Sequence, residues 1–411
     1  MTEVNGSNNN LRMSAGKIRM IFLLMYMGFA FWRVFYNIYL VNNGFSGAQI
    51  GSINALYQAS VIFILPIWGI VADRNGIRPT LKWLMFASAI LVLLLGQMKI
   101  FYLAFAYILF LTVFYHPLGP LADALAVQYS HINTKHTYGS FRLWGSLGWA
   151  ISSILGGIIF TYADLKFVFL VSAVFLALTT YYLRTPKKRK TIYRPDFQPI
   201  DIKLVFKNHH LLIFILILAF YGLACSPVNS YLNLYLKDLG AQNNAIGLAY
   251  AIQAFSEVPF FFIGGKLVNK IGARRVIIIS IAFMIVRLFL YGIINNITIA
   301  LLLGIIQGIT LSFFLVGAVE FIHRLLPDGR HATAQSFIWG LYFGVGATFG
   351  NLSIGFLKDS EGMPGVMKIF AFITCGVLLI TILYFYLSRF KVQFYKIYNG
   401  LFYKDLKPPE L

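Results

Sequence analysis

The sequence predicts an all-α integral membrane protein with twelve transmembrane helices in two pseudo-symmetric six-helix bundles. Its composition, its count of apolar segments and an internal repeat support this fold class. Of the 411 residues, 59% are hydrophobic and 12% are charged, and the mean hydropathy is +0.74. Soluble domains contain roughly 25% charged residues, so the composition excludes an ordinary soluble protein.

Twelve apolar segments are long enough to cross a bilayer, whose core of about 30 Å requires about 20 residues per helix. They are approximately 18–40, 47–71, 80–98, 101–128, 138–162, 165–183, 210–236, 244–268, 274–293, 297–326, 331–357 and 364–388. The longest polar stretch separates them into two sets of six. The predicted organisation is therefore an N-terminal bundle (1–183), a cytoplasmic linker (184–209), a C-terminal bundle (210–388) and a basic cytoplasmic tail (389–411).

An internal repeat relates the two halves. Residues 36–78 and 232–274 align without a gap at an offset of 196. Identical residues include Asn37 with Asn233, Gly51 with Gly247, and Gly76 with Gly272. A membrane chain that repeats itself at half its length has two like halves, which can pass a solute by rocking against each other.

The distribution of charge predicts the topology. The net charge is +20, but the basic residues cluster in short loops between apolar segments, which excludes the contiguous basic face of a nucleic-acid-binding protein. Loops near 41–47 and 294–298 contain no Lys or Arg. The positive-inside rule then places both termini in the cytoplasm. We expect a multi-pass protein of the inner (cytoplasmic) membrane.

Several classes of chemistry lack their sequence signals. Cys225 and Cys375 both lie in apolar segments, which supports neither a disulfide framework nor a metal site. No phosphate-binding glycine loop, nucleophile elbow or zinc-binding helix motif occurs. We therefore expect no enzyme activity and no cofactor or metal. The expected partners are a small-molecule substrate, a proton and the lipid bilayer, and the protein is expected to be monomeric.

A glycine-and-basic loop follows the second apolar segment, and a second copy, in which Asn269 replaces the acid, follows the eighth. This loop resembles the signature loop of the major facilitator superfamily, which implies the twelve-helix fold named for it and a role in conformational change. The residues that carry the resemblance are Gly69, Asp73, Arg74, Gly76 and Arg78. Glycine at the first position permits close helix contact, and the second glycine permits a tight turn.

A second motif spans 117–149 and contains Asp123, Arg142, Ser146 and Trp149. It resembles the branch that holds lactose permease, the nucleoside:proton symporters and the phenylpropionate permeases, although the acid-to-arginine spacing differs by one residue from lactose permease. The resemblance implies that Asp123 and Arg142 hold the substrate while Trp149 stacks on its ring, and that Ser146 also contributes.

The predicted positions of Asp123 and Arg142 agree with such a site. Each lies about five residues from the inner end of its span, which at roughly 1.5 Å per residue gives both a similar depth. We expect them to pair or to face a wet cavity, because an unpaired charge at this depth costs several kcal/mol. A second interpretation, in which Arg142 is a snorkelling anchor, remains open.

Three further charges interrupt the apolar segments of the second half, and they are the candidates for proton coupling: Glu257, Arg287 and Glu320. By resemblance, Glu257 matches the membrane acid of the nucleoside symporters, and Arg287 matches an arginine that faces the proton-coupling group of lactose permease. The histidine and glutamate that carry the proton there fall on Gln307 and Thr310, which cannot titrate, so the proton must use Glu257, Glu320 or Asp123.

Alternatives remain for these acids and for one arginine of the first span. Glu257 and Arg287 could form a fixed ion pair, and Glu320 could pair with Arg324 one turn on. Arg33 could meet an anionic substrate group or Asp123, or could snorkel to the outer interface.

The sequence therefore predicts a secondary active transporter that works by alternating access. The favoured activity is proton-coupled uptake of a small hydroxylated ring solute, such as a sugar, an oligosaccharide or a nucleoside. The alternatives are a permease for an aromatic carboxylate, proton-driven efflux and, more distantly, a membrane solute sensor that does not transport.

Overall fold

Helices form all the regular structure in the part of the chain that the computed structural model describes, residues 13–133, 136, 138–183, 209–325 and 339–402. We number them α1 (Ala15–Asn42), α2 (Gly47–Asn75), α3 (Ile77–Leu95), α4 (Phe101–Ser130), α5 (Tyr138–Tyr162), α6 (Phe167–Tyr182), α7 (His209–Ser230, continued by Leu232–Asp238), α8 (Asn243–Ile271), α9 (Ala273–Ile293), α10 (Ile297–Ile322), α11 (339–361) and α12 (363–402).

The predicted count of membrane-crossing segments agrees with these helices. Ten stretches in the described residues are long and apolar enough to cross a membrane, and α6 is a shorter apolar helix. The longest stretch, Gly340–Tyr386, contains two crossings, because the backbone leaves helical geometry at Gly362, where φ is 64°. The prediction of an all-α protein with twelve spans is therefore confirmed. The linker at 184–208 and the end of the tail at 403–411 lie outside the described residues, so the domain boundaries remain predictions.

The repeated glycines form the tight turns between helices. Gly76 separates α2 from α3 with φ of 92°, and its counterpart Gly272 separates α8 from α9 with φ of 87°. Residues with a side chain rarely adopt positive φ, which explains why both copies of the repeat have glycine at this position.

The repeat also brings equivalent residues of the two halves into contact. The Asn37 side chain donates to the Asn233 carboxamide oxygen over 3.5 Å and to the backbone carbonyl of Ser230 over 2.6 Å. Asn233 in turn donates to the backbone carbonyl of Val34 over 2.8 Å. These hydrogen bonds join the irregular segments that interrupt α1 and α7, so the pseudo-two-fold axis passes between the two asparagines.

The bundles pack tightly at one end, which we call the linker-distal end and define by the turns at 43–46, 163–166, 239–242 and Gly362. There α2 contacts α11 and α5 contacts α8. A Cβ atom on Gly51 would lie 2.6 Å from the Cα of Gly355, and one on Gly247 would lie 2.0 Å from the backbone oxygen of Ser153. Glycine thus lets the backbones of opposite halves touch.

Polar contacts at the helix N-termini complete this closure. The Asp359 carboxylate of α11 accepts a hydrogen bond of 2.9 Å from the backbone nitrogen of Gly47, at the start of α2. Asn243, at the start of α8, donates to the backbone carbonyl of Phe160 over 2.6 Å. A carboxylate at a helix N-terminus satisfies a free N–H group and interacts favourably with the helix dipole. The linker-distal end is therefore shut in this conformation.

Candidate functional site

A cavity of about 280 Å³ lies between the two bundles, and both halves contribute to its lining. The first half contributes Tyr26, Arg33, Gln58, Arg142, Ser146 and Trp149; the second contributes Gly222, Ser226, Asn229, Ser230, Tyr250, Gln253, Ala254, Glu257, Gln307, Leu311, Tyr342, Phe343 and Ala347. The structure thus brings together four of the five predicted substrate-binding residues, the fifth being Asp123. It also places the predicted proton-coupling acid Glu257 across from them.

Arg142 lies over an aromatic ring rather than against a carboxylate. Its guanidinium carbon is 4.4 Å from the ring centroid of Tyr26, a cation–π distance. Gly145 makes room for this arrangement, since a Cβ atom there would lie 2.8 Å from the Tyr26 ring and 2.9 Å from Arg142 Nη1. Tyr26 is a site residue that the sequence analysis missed, because a tyrosine in an aromatic-rich first helix carries no distinguishing signal.

Asp123 is near Arg142 but does not line the cavity. Tyr138 and Arg142 are its electrostatic neighbours. Among the described residues, however, no ion pair within 4.0 Å joins Asp123 to Arg142, and Asp123 Oδ1 has no hydrogen-bond partner. Of the two arrangements expected from the sequence, direct pairing is therefore absent in this conformation; Arg142 instead lines the cavity, with its guanidinium over the Tyr26 ring.

Ser146 and Trp149 continue the same face of α5. They lie four and seven residues after Arg142, a spacing that places side chains above one another on a helix. Trp149 also packs against Ala150, Ala251 and Ala254, a small cluster shared by α5 and α8. The indole ring is therefore positioned at the junction of the bundles with part of its surface in the cavity.

Arg33 lies at the point where the first helical segment, Ala15–Arg33, ends. Its guanidinium carbon is 4.1 Å from the ring centroid of Tyr57 and 5.6 Å from that of Trp32. Because Arg33 lines the cavity, it does not snorkel along the protein surface in this conformation, and no contact joins it to Asp123 among the described residues.

Glu257 and Arg287 are connected through an amide. Gln307 donates from Nε2 to Glu257 Oε1 over 3.3 Å, and its Oε1 accepts from Arg287 Nη1. Arg287, which is fully buried, also donates to Thr310 Oγ1 over 3.3 Å. The direct Glu257–Arg287 ion pair considered from the sequence is thus not formed in the described part of the chain, because Gln307 lies between the two groups.

The local geometry of α10 explains how Gln307 reaches both partners. A short 3₁₀ segment (Leu303–Ile306) precedes it and a π-helical turn (Gly308–Phe313) follows it. The backbone nitrogen of Gly308 donates to Ser256 Oγ over 3.1 Å, which ties this irregular segment to α8. In the sequence Gln307 stands out only as a position that cannot titrate, and no local pattern predicts its bridging role.

The remaining predicted residues lie outside the cavity. Glu320, near the end of α10, is not among the lining residues, and the side chain of Arg324 lies outside the described set. Asp73 and Arg74 are exposed at the end of α2, and Arg78 follows the turn at Gly76. The close helix contact expected at Gly69 is absent in this conformation, because nothing lies within 4 Å of where its Cβ would be.

Replacing Gln307 with Leu is expected to lower the melting temperature of the detergent-solubilised protein by roughly 1–4 °C, because a buried donor of Arg287 loses its acceptor at a cost of about 1–3 kcal/mol. Gln253→Leu is the matched control, since Gln253 Nε2 has no hydrogen-bond partner among the described residues. Equal melting temperatures for the two variants would show that the bridge does not stabilise the site.

Comparisons with known proteins agree with this architecture. The model of the MFS_1 like family matches residues 16–388. The maltose permease of Geobacillus stearothermophilus is 28% identical over 368 residues, covering 86% of this chain and 91% of that protein. The sucrose permease of Escherichia coli is 25% identical over 402 residues, covering 90% and 92%.

A solved structure shows the same fold. The crystal structure of the nucleoside transporter NupG superposes with a TM-score of 0.79 at 19% identity, covering 90% of this chain and 98% of that one. The relatives are permeases and not enzymes, which confirms the predicted class. With a family match that covers nearly its whole length, this chain belongs to the MFS_1-like family of the major facilitator superfamily and is a multi-pass membrane transporter.

Proposed function

We propose that this transporter couples the uptake of a small hydroxylated ring solute, a sugar or a nucleoside, to the entry of a proton. The main observation in favour of the proposal is the cavity between the bundles, which Arg142 and Trp149 line from one half and Glu257 lines from the other. Proteins similar to this chain include permeases named for maltose, sucrose, raffinose and xanthosine, which supports a substrate of this class.

The lining of the cavity suits a hydroxylated ring. An indole offers a flat apolar face on which a sugar or base can stack, and the polar side chains around it offer donors and acceptors for hydroxyl groups. Besides Arg142, these include the amides of Gln58, Asn229 and Gln253. We propose that Arg142, Ser146 and Trp149 bind the substrate and that Asp123 acts through its electrostatic interaction with Arg142.

Glu257 is the proposed proton carrier. It is the carboxylate that lines the cavity within the described residues, whereas Asp123 and Glu320 do not. Gln307 is hydrogen-bonded to both Glu257 and Arg287. A change in the charge of the Glu257 carboxyl group therefore affects the amide that accepts from the buried Arg287 guanidinium. Arg287 is thus proposed to respond to the proton rather than to touch the substrate.

The closed linker-distal end supports alternating access. We propose that this end faces the outside of the cell and that the linker, both termini and the turn at Gly76 face the cytoplasm, with the protein in the inner membrane. Basic residues concentrate on the linker side, as the positive-inside rule requires. Open space at Gly69 and Gly265 agrees with bundles that are apart at the cytoplasmic end in this conformation.

A thermal-shift screen of the purified protein tests this assignment. Maltose, sucrose, xanthosine and an aromatic carboxylate are tested separately. A ligand present at a concentration of a hundred times its Kd stabilises the folded state by about 2.7 kcal/mol and so raises the melting temperature. We expect a sugar or nucleoside to give the shift and Arg142→Ala to remove it. Arg275→Ala, at an exposed position outside the cavity, is the control. A shift that survives Arg142→Ala would place the binding site elsewhere.

A further inference from the structure

Arg33 differs from the other arginines of the site in its surroundings. Arg142 has Asp123 and Glu257 among its electrostatic neighbours, and Arg287 reaches Glu257 through Gln307. No carboxylate lies within ion-pair distance of Arg33 in the described residues. The electrostatic neighbours of Asp123 and Glu257 include Arg142 or Arg287 but not Arg33.

Aromatic rings surround Arg33 instead. Tyr57 and Trp32 form its cation–π contacts, at 4.1 Å and 5.6 Å from the ring centroids. The titratable groups that interact with it are Tyr36, Tyr57, Tyr115, His116 and Tyr250. His116 is itself hydrogen-bonded, through Nε2, to the backbone carbonyl of Tyr57 over 2.7 Å. These neutral groups orient the guanidinium without neutralising it.

The position of Arg33 makes it accessible to a ligand. It lines the main cavity and also a smaller neighbouring cavity of about 50 Å³. Among the described residues, those that line the smaller cavity include Asn37, Asn54 and Asn229 but no acidic side chain. Arg33 therefore stands where the two spaces meet, with neutral hydrogen-bonding groups on one side and the Trp149 indole, which lines both spaces, on the other.

The charges of the site do not balance. With Asp123 and Glu257 ionised, the guanidinium groups of Arg33, Arg142 and Arg287 leave one positive charge in excess, and that charge belongs to the arginine without an acidic neighbour. A charge within a membrane protein is costly unless it is paired or solvated, and guanidinium groups bind carboxylates and phosphates through strong charge-assisted hydrogen bonds.

We propose that the substrate carries an anionic group, a carboxylate or a phosphate on its hydroxylated ring, and that Arg33 binds this group while the ring contacts Trp149. The inference rests on the proposed function of the cavity and narrows its substrate class. It makes Arg33 a specificity-determining residue that selects an anionic ring over its neutral analogue.

Binding measurements with matched ligands test the proposal. Methyl glucuronide and glucose 6-phosphate are compared with methyl glucoside on the purified full-length protein at constant ionic strength. We expect one of the anionic ligands to bind at least about tenfold more tightly than the neutral glycoside, the range of a charge-assisted hydrogen bond. Comparing methyl glucuronide with glucose 6-phosphate shows whether the preferred anionic group is a carboxylate or a phosphate.

Variants of Arg33 assign the effect to this residue. Arg33→Gln is expected to reduce the affinity for the anion by about tenfold while changing that for the neutral glycoside less than about twofold, and Arg33→Lys should retain most of the preference. Retained binding of methyl glucoside shows that each variant is folded.

Two results would overturn the inference. Equal affinity for anionic and neutral ligands, or an equal loss of both in Arg33→Gln, would show that Arg33 does not select an anion. In that case binding of the neutral sugar would leave the proposed transport function intact. Failure of every ring solute to bind would contradict both the proposed function and this inference.

Discussion

Glu257→Gln is expected to abolish accumulation of the substrate against its gradient while leaving downhill exchange intact. The substitution conserves the shape of the side chain and the oxygen that accepts from Gln307 Nε2, but it removes the group that can bind a proton. A one-to-one symporter in a proton gradient of one pH unit accumulates its substrate about tenfold, since about 1.4 kcal/mol corresponds to a factor of ten. The accumulation ratio of the variant should fall to about one.

Uptake and exchange by reconstituted vesicles measure the two activities separately. Glu320→Gln is the matched control, because it makes the same chemical change at an acid that does not line the cavity. Normal accumulation by Glu257→Gln would rule out this acid as the proton carrier. Loss of accumulation in Glu320→Gln alone would transfer the role to Glu320.

Gly247→Leu is expected to prevent closure of the linker-distal end and to reduce transport by at least about tenfold, because overpacking a tight contact costs about 1–3 kcal/mol or more. A Cβ at this position would lie 2.0 Å from the backbone oxygen of Ser153 and 3.0 Å from the Cα of Gly157. Both neighbours are backbone atoms, so the clash cannot be relieved by a rotamer change. The two bundles must instead move apart.

Distances between spin labels at Asn42 and Gln242, which are exposed at the linker-distal ends of opposite halves, report this movement. We expect a longer distance in Gly247→Leu than in the parent protein. The control is Gly376→Leu on α12, where nothing lies within 4 Å of the added Cβ. An unchanged distance and normal transport in Gly247→Leu would show that the glycine contact is not needed for closure.

The sequence predicted the fold well because its signals are local or periodic. Apolar length gave the number of spans, and the repeat gave the two halves. The repeat also identified Gly51 and Gly247, and Asn37 and Asn233, as equivalent positions. It could not show that the glycines contact the opposite bundle or that the asparagines contact each other, since those contacts depend on how the halves associate.

The site was predicted less completely, for reasons that the side chains make clear. The depth of Asp123 and Arg142 follows from counting residues, but the direction of Arg142 depends on the ring of Tyr26, which no spacing reveals. Gln307 was considered only for its lack of a titratable proton, whereas its two-sided amide is what joins Glu257 to Arg287. The neutral surroundings of Arg33 come from Tyr57 on α2, a contact between helices that the sequence does not encode in any local pattern.

Solute accumulation by proteoliposomes tests the central claim most directly. Vesicles that contain the purified protein and an alkaline interior are given labelled sugars, nucleosides and their anionic analogues, with and without an uncoupler. The structure predicts that at least one ring solute accumulates above its external concentration and that the uncoupler abolishes this accumulation. Proton-coupled transport through the cavity would be contradicted if the protein accumulated none of these solutes and exchanged none of them.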